Sequence, residues 1–325
     1  MFYAIRHFTR YRYSHPVWQS MMEVRMHPRS EGNQRCFIFQ LSVNPRARIF
    51  AHTDARGNLV HHFDLPQRHR QLTIISDALV NLDAPQTLPE SMDYQAWDEL
   101  EQLVEKKDYW DMLMPSHFAR TSPELQELAE EIAVRKRDGR SPLAFLQDVA
   151  SGVYRSFSYV KKSTAVNSPI EHALKSRQGV CQDFAHIMIT LVRNANIPCR
   201  YVSGYLYHSG ENSDRSSDGA THAWVEAVLP GLGWVGFDPT NNIIVGERHI
   251  RTAVGRDYAD VPPTMGTMKG KAETELQVRV RVTPSQAVLP PDEEFAADEE
   301  WSQFLEEDNQ AQVMHAQQQQ QQQQQ

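Results

Sequence analysis

The stretch Gln178-Gly179-Val180-Cys181-Gln182-Asp183-Phe184-Ala185-His186 constrains this chain more than any other. From Phe184 the apolar positions fall at Phe184, Ile187, Met188, Leu191 and Ala195, the i, i+3, i+4, i+7 stripe of a helix. A second row, Cys181, Ala185, Met188 and Val192, runs beside the first. A helix with so wide an apolar surface belongs inside a domain. Gly179 just before it permits a sharp turn or a close backbone approach. Cys181 then falls in the first helical turn, where unpaired N–H groups and the helix dipole favour a thiolate over a thiol. That makes it a candidate nucleophile, although a lone cysteine more often behaves as a small buried hydrophobe.

Candidate partners follow downstream. Thr221-His222-Ala223-Trp224-Val225-Glu226-Ala227-Val228-Leu229 alternates as a strand, and Trp234-Val235-Gly236-Phe237-Asp238-Pro239-Thr240 reads as the next. Cys181, His222 and Asp238 thus give the order nucleophile, base, orienter. An imidazole takes the thiol proton or pairs with the thiolate, and a carboxylate holds its other nitrogen. His186 is an alternative base, but at i+5 from Cys181 it sits half a turn away and reads better as a core or surface histidine. Asp238 can reach His222 in this reading only if the intervening hairpin is irregular. A four-residue loop over Pro230–Gly233 would set Asp238 opposite Val225, so a longer, asymmetric turn or a bulge within Gly231–Gly236 is expected.

The 325 residues allow about two domains, and no apolar run approaches the length of a membrane span. Residues 1–83 read as short strands, among them Tyr3 to Tyr13 and Phe37 to Val43, with a turn at Asp54–Asn58. The expectation is a sandwich-like β-rich domain over 1–85. His61, His62 and His69 lack zinc-site spacing and read as strand or surface residues. Pro85 and Pro89 punctuate the boundary to a helical connection over 86–120. In the core expected over 121–283, Ser122-Pro123 and Ser141-Pro142 each read as a cap and first helical residue. Its last strand is expected at Leu276–Val282. Residues 284–325 hold nine acids, no Lys or Arg, and end in nine glutamines, the composition of a disordered tail. An aromatic-acidic patch there, Phe295 to Leu305, could form a docking turn.

The net charge of −8 largely belongs to that tail, and the rest is nearly neutral. The eleven arginines of residues 1–80 come with no nucleic-acid recognition motif, which disfavours a nucleic-acid partner. Three cysteines do not make a disulfide framework, and the N-terminal residues lack a signal-peptide apolar region. A cytoplasmic protein with no membrane partner is expected.

Gly179-Val180-Cys181-Gln182-Asp183-Phe184-Ala185, Thr221-His222-Ala223-Trp224-Val225-Glu226 and Gly233-Trp234-Val235-Gly236-Phe237-Asp238-Pro239-Thr240, in this order, resemble the core signature of the bacterial transglutaminase-like family. Its members are often described provisionally as cysteine proteases. The likeness extends through Arg193–Pro198, Val202–Tyr205 and Val254–Pro263, and the N-terminal β-region resembles the extra domain these bacterial proteins carry. The resemblance implies an α+β, papain-like core with Cys181, His222 and Asp238 catalytic. It implies attack on a glutamine side-chain amide or related amide of a protein or peptide, a Cys181 thioester, and release of ammonia or an amine. Water or an amine acceptor then takes the acyl group, and the sequence does not separate the two. Neither a cofactor nor a metal is implied. The Cys181 N–H is expected as one oxyanion donor, and Gln178 or Tyr159 is a candidate for the second. A non-catalytic peptide-binding module on the same fold is the competing reading.

Overall fold

The computed structural model describes residues 1–290 apart from 86, 166, 211–213 and 217–218. The tail from residue 291 on, and with it the expected docking turn at Phe295–Leu305, lies outside the described residues.

Strand β1 (Phe2–Val24) is the spine of the N-terminal unit. Its first half pairs antiparallel with β5 (His69–Leu82), and β2 (Gln34–Asn44) adds beyond β5. Its second half pairs with β4 (Leu59–Leu65), which carries β3 (Phe50–Thr53). Register shifts between Arg12 and Val17 and between Trp18 and Met21, with Gln19 at φ 50°, bend the strand between its two halves. The sheet curls over a core of Val17, Met22, Val24, Phe63, Leu72 and Ile74. The period-2 alternation expected of β1 is what lets one strand serve both halves.

The helical connection holds α1 (Ala96–Glu105) and a short 3-10 turn at Trp110–Met112. Next come α2 (Pro123–Ile132) and α3 (Pro142–Ser156). Both begin as their sequences predict, with Ser122 Oγ accepting from the Leu125 N–H and Ser141 Oγ from the Ala144 N–H, each at 3.3 Å. A two-strand parallel ladder of β6 (Ser158–Tyr159) and β7 (Gln178–Gly179) brackets α4 (Ile170–Ser176) and leads straight into α5 (Cys181–Asn194).

Every residue of α5 from Gln182 to Arg193 is buried. Fully burying side chains such as Phe184, Ile187 and Met188 stabilises the core by about 1.5–3 kcal/mol each. Arg193, near the helix end, is buried with no acid partner among the described residues and donates to the carbonyls of Met112, Met114, Cys199 and Arg256. It thereby ties the helical connection to the core.

Helix α5 packs on a five-stranded antiparallel sheet ordered β11-β10-β9-β8-β12. These strands are β8 (Cys199–Leu206), β9 (His222–Leu229), β10 (Gly233–Asp238), β11 (Ile243–Ile244) and β12 (His249–Gly255). Ala223, Val225, Ala227 and Leu229 join the α5 core, while Trp224 packs with Val202, Val245 and Val254 on the other face. After β11 the chain crosses from one edge of the sheet to the other to form β12.

The final strands correct one expected boundary. β13 (Thr264–Lys269) and β14 (Thr274–Ser285), the strand expected to close the core, both pair with β1. The N-terminal sheet is completed by the C-terminal end of the chain, because alternation marks a strand but not its partner. The two units are stapled at the β12 edge. The Gln34 amide donates to the Arg251 carbonyl and accepts its N–H, and the Asn58 amide does the same at Val254. The edge strand's outward backbone groups are thereby satisfied.

Candidate active site

Cys181 opens α5 and is half-buried. Asp183 at the third helical position accepts the Val180 N–H at 2.8 Å and the Thr164 hydroxyl at 2.6 Å, closing the helix start. Gly179 is required here: a Cβ would lie 2.9 Å from the Asp183 Cβ. The expectation for Gly179 and the helix start is met.

His222 opens β9 and is buried, as is Asp238 at the end of β10. Asp238 Oδ2 lies 2.7 Å from His222 Nε2. The hairpin that achieves this is regular, which corrects the expected longer turn or bulge. Leu229 pairs with Gly233 around a three-residue loop, and the register continues unshifted to Phe237 opposite Val225. Asp238 therefore falls opposite Trp224, two residues from His222 on the same face, and reaches it diagonally. Gly233, at φ 70°, serves the loop. Gly236 serves something else: a Cβ there would sit 2.5 Å from Val245 of the crossover.

The carboxylate is saturated. Oδ1 accepts the Thr240 and Asn241 N–H groups, at 3.0 and 3.2 Å. Oδ2 is shared by His222 Nε2, the Asn241 side-chain amide at 2.8 Å and His249 Nε2 at 3.2 Å. Burial alone would raise Asp238, but His222 and the hydrogen bonds hold it far below the usual carboxylate range. Burial likewise opposes charge on His222. The Asp238 carboxylate, with a further contribution from Cys181, outweighs it and pushes His222 up to about 10. At neutral pH the pair is an imidazolium facing a carboxylate. His222 Nδ1, the nitrogen not engaged by Asp238, is buried, and among the described residues Cys181 is what acts on this ring besides Asp238.

His186, the alternative base, is a core residue. It stacks on Phe118 at 5.2 Å, Nε2 accepts the Tyr258 N–H at 3.1 Å, and burial pushes it down to about 3. Tyr159 and Gln178 lie in the β6–β7 ladder just before Cys181. The histidines at 61, 62 and 69 do not converge: His69 bonds Ser20 at 3.0 Å, while His61 packs on Phe39 and His62 on Phe50.

Asn241 and His249 went unrecognised in the sequence. Asn241 lies three residues past Asp238, but nothing in its spacing shows that its amide turns back. Its Oδ1 also accepts the N–H groups of Arg215 and Ser216. This tethers the described part of the polar loop between β8 and β9. Arg248 adds an ion pair to Asp214 at 2.7 Å. His249 opens the alternating stretch Ile250, Thr252, Val254, a signal for a strand but not for where its first side chain goes.

His222, Asp238 and His249 place three ligand-type atoms within 4.8 Å of one another, the beginnings of a metal site. Their hydrogen bonding argues against that use. The Gly246 N–H donates to His249 Nδ1 at 3.4 Å, which leaves the ring proton on Nε2, the atom a metal would need bare. Metal-binding histidines show the opposite pattern, donating from the nitrogen remote from the metal.

A half-buried cysteine at a helix start, acting on an imidazole clamped by a carboxylate, fits the comparisons with known proteins. The sequence profile of the Transglutaminase-like superfamily matches residues 126–239, and that of the Bacterial transglutaminase-like N-terminal region matches residues 3–81. The chain belongs to the transglutaminase-like superfamily. It is 32% identical to an uncharacterized protein of Mycobacterium leprae, over 85% of this chain and 96% of the relative. An uncharacterized protein of Mycobacterium bovis is 33% identical over 87% and 92%. A protein-glutamine gamma-glutamyltransferase of Pseudomonas aeruginosa is 26% identical over 44% of this chain and 22% of that protein. Among solved structures, a protein from Cytophaga hutchinsonii provisionally described as a cysteine protease superposes with a TM-score of 0.66 at 20% identity. That match covers 89% and 93% of the two chains. The transglutaminase-like fold, an α+β core behind an N-terminal β domain, is therefore as the sequence predicts.

Proposed function

We propose that this transglutaminase-like protein performs thiol-dependent acyl transfer or hydrolysis on amide groups of protein or peptide substrates, with Cys181 as nucleophile, His222 as acid-base and Asp238 as orienter. The observation that carries the reading is the buried His222–Asp238 pair at 2.7 Å, which leaves Nδ1 unengaged while Cys181 acts on the same ring.

The imidazolium pairs with the Cys181 thiolate. The sulfur attacks the amide carbon, and the carbonyl electrons move to oxygen, stabilised by the Cys181 N–H. The C–N bond then breaks as His222 Nδ1 gives its proton to the departing nitrogen. The result is a Cys181 thioester with ammonia or an amine released. Water or an amine, deprotonated by His222, attacks the thioester. The C–S bond breaks, and the thiolate and imidazolium are restored. Asp238 keeps its charge throughout and fixes the ring so that Nδ1 does this work. Glutamine side-chain and peptide or isopeptide amides all suit this chemistry.

A thiol-reactive probe tests the reading. Burial pushes the thiols of Cys36 and Cys199 up to about 11, so both are protonated at neutral pH and label slowly. Cys181 is expected to label far faster, and peptides are expected to release ammonia or incorporate a primary amine. Equal, slow labelling of all three with no product would instead assign the chain a non-catalytic peptide-binding role.

A further inference from the structure

We propose that His249 is a positioning residue that holds Asp238, and through it His222, in the alignment the thiol chemistry needs. This rests on the function proposed above.

His249 reaches the site from an unexpected direction. It belongs to β12, while Asp238 lies on β10 at the other side of the sheet, with β9 and β8 between them. Two glycines clear the way. At Gly204 of β8 a Cβ would lie 2.1 Å from the Ile250 carbonyl and 2.6 Å from the Trp224 ring. At Gly236 of β10 it would strike Val245 of the crossover that delivers β12. With both positions bare, the crossover lies over the sheet and the His249 ring stands edge-on to Trp224 at 5.2 Å.

The ring arrives with its tautomer decided. Its Nδ1 accepts the Gly246 N–H, so Nε2 carries the hydrogen and donates it to Asp238 Oδ2. The groups facing His249 are Asp238 and His222 on their strands and the neighbouring Arg248, itself paired with Asp214. Only one of the two imidazoles can be the carboxylate's counter-ion: His249 Nδ1 accepts an N–H, which a protonated ring does not do, and burial lowers its tendency to charge. His249 is thus a neutral donor whose bond fixes where Oδ2 points without competing for the proton that His222 carries.

The test uses the full chain and two readouts that need no substrate: the imidazole NMR titrations and the rate at which iodoacetamide alkylates Cys181. In the parent, His249 is expected to be the Nε2–H tautomer and to charge only below its ordinary value, and His222 to titrate near 10. His249→Leu is expected to lower the His222 inflection by at least one pH unit and slow Cys181 alkylation at pH 7 on the order of 10–100-fold, the cost of a misplaced partner. His249→Gln, whose amide can still donate to Oδ2, is expected to retain most of both. A leucine variant with parental titration and rate would overturn the proposal. So would a parent His249 that is the Nδ1–H tautomer or charges near its ordinary value, a measurement that stands even if the leucine variant fails to fold. Should Cys181 prove no more reactive than Cys36 while His249 and His222 titrate as expected, the positioning geometry stands and the proposed function falls.

Discussion

Asp238 bonds His222 on the diagonal, across β9 and two residues beyond its direct neighbour Trp224. The right-handed twist of paired strands brings one diagonal closer than the other, and here it carries the whole carboxylate–imidazole contact. Because Oδ1 is held by backbone N–H groups of the turn that follows, the carboxylate cannot rotate to follow a displaced ring. The sheet and the following turn set where the pair meets, and the Asn241 and His249 donors on Oδ2 complete its alignment.

Cys181→Ala should abolish turnover and change stability by less than about 1 kcal/mol, because the side chain is small and only half-buried. His222→Ala should also abolish turnover but should unfold more easily, by about 3 kcal/mol, since it strands a buried carboxylate. Asp238→Asn should keep measurable activity. Kinetics with urea titrations check all three, and a Cys181→Ala variant that loses its fold would mark the thiol as a packing residue.

Stability should depend on His222 in the alkaline range. Its folded-state value, about 10, lies above the roughly 6.5 of an unfolded imidazole, so its contribution is complete below pH 6.5 and disappears as pH rises to about 10. Urea midpoints measured across that window should fall more steeply for the parent chain than for His222→Gln. Parallel curves would contradict the ion pair.

Glu226, fully buried, binds Arg200 at 2.7 Å and Arg251 at 2.5 Å, and Arg200 continues to Glu31 of the N-terminal unit at 3.2 Å. Burial would raise Glu226, yet the two guanidinium groups hold it down to about 2. Glu226→Ala leaves both arginines without their main partner and should cost about 3–5 kcal/mol. The matching acid effect, a loss of stability as pH falls from about 4.5 towards 2, should vanish in Glu226→Gln.

Gly236→Ala should destabilise the chain by about 1–3 kcal/mol, since its methyl group meets Val245. Adding Val245→Ala should recover part of that loss, a coupling that a thermal-melt double-mutant cycle measures. Additive losses would show that Gly236 is needed for some other reason.

The sequence by itself determined what depends on near neighbours along the chain. The apolar stripe made α5 a buried helix, Ser122 and Ser141 capped theirs, and the ordered motifs around Cys181, His222 and Asp238 placed the chain in its superfamily. The matching parity of 222 and 238 allowed both side chains to share one face, which the register set by the three-residue loop then made so. What the tertiary structure decided was pairing between distant segments. It sent β14 back to β1, where alternation alone suggested a strand of the core, because a strand's pattern tells which face is buried and not which edge it joins. It also replaced the expected irregularity with a regular hairpin, since a loop one residue shorter than assumed sets Asp238 opposite Trp224, within diagonal reach of His222. His249 was hidden for the same reason. Its partner is three strands away across the sheet, reachable only because Gly204 and Gly236 leave the space open, and no spacing along the chain records that crossing.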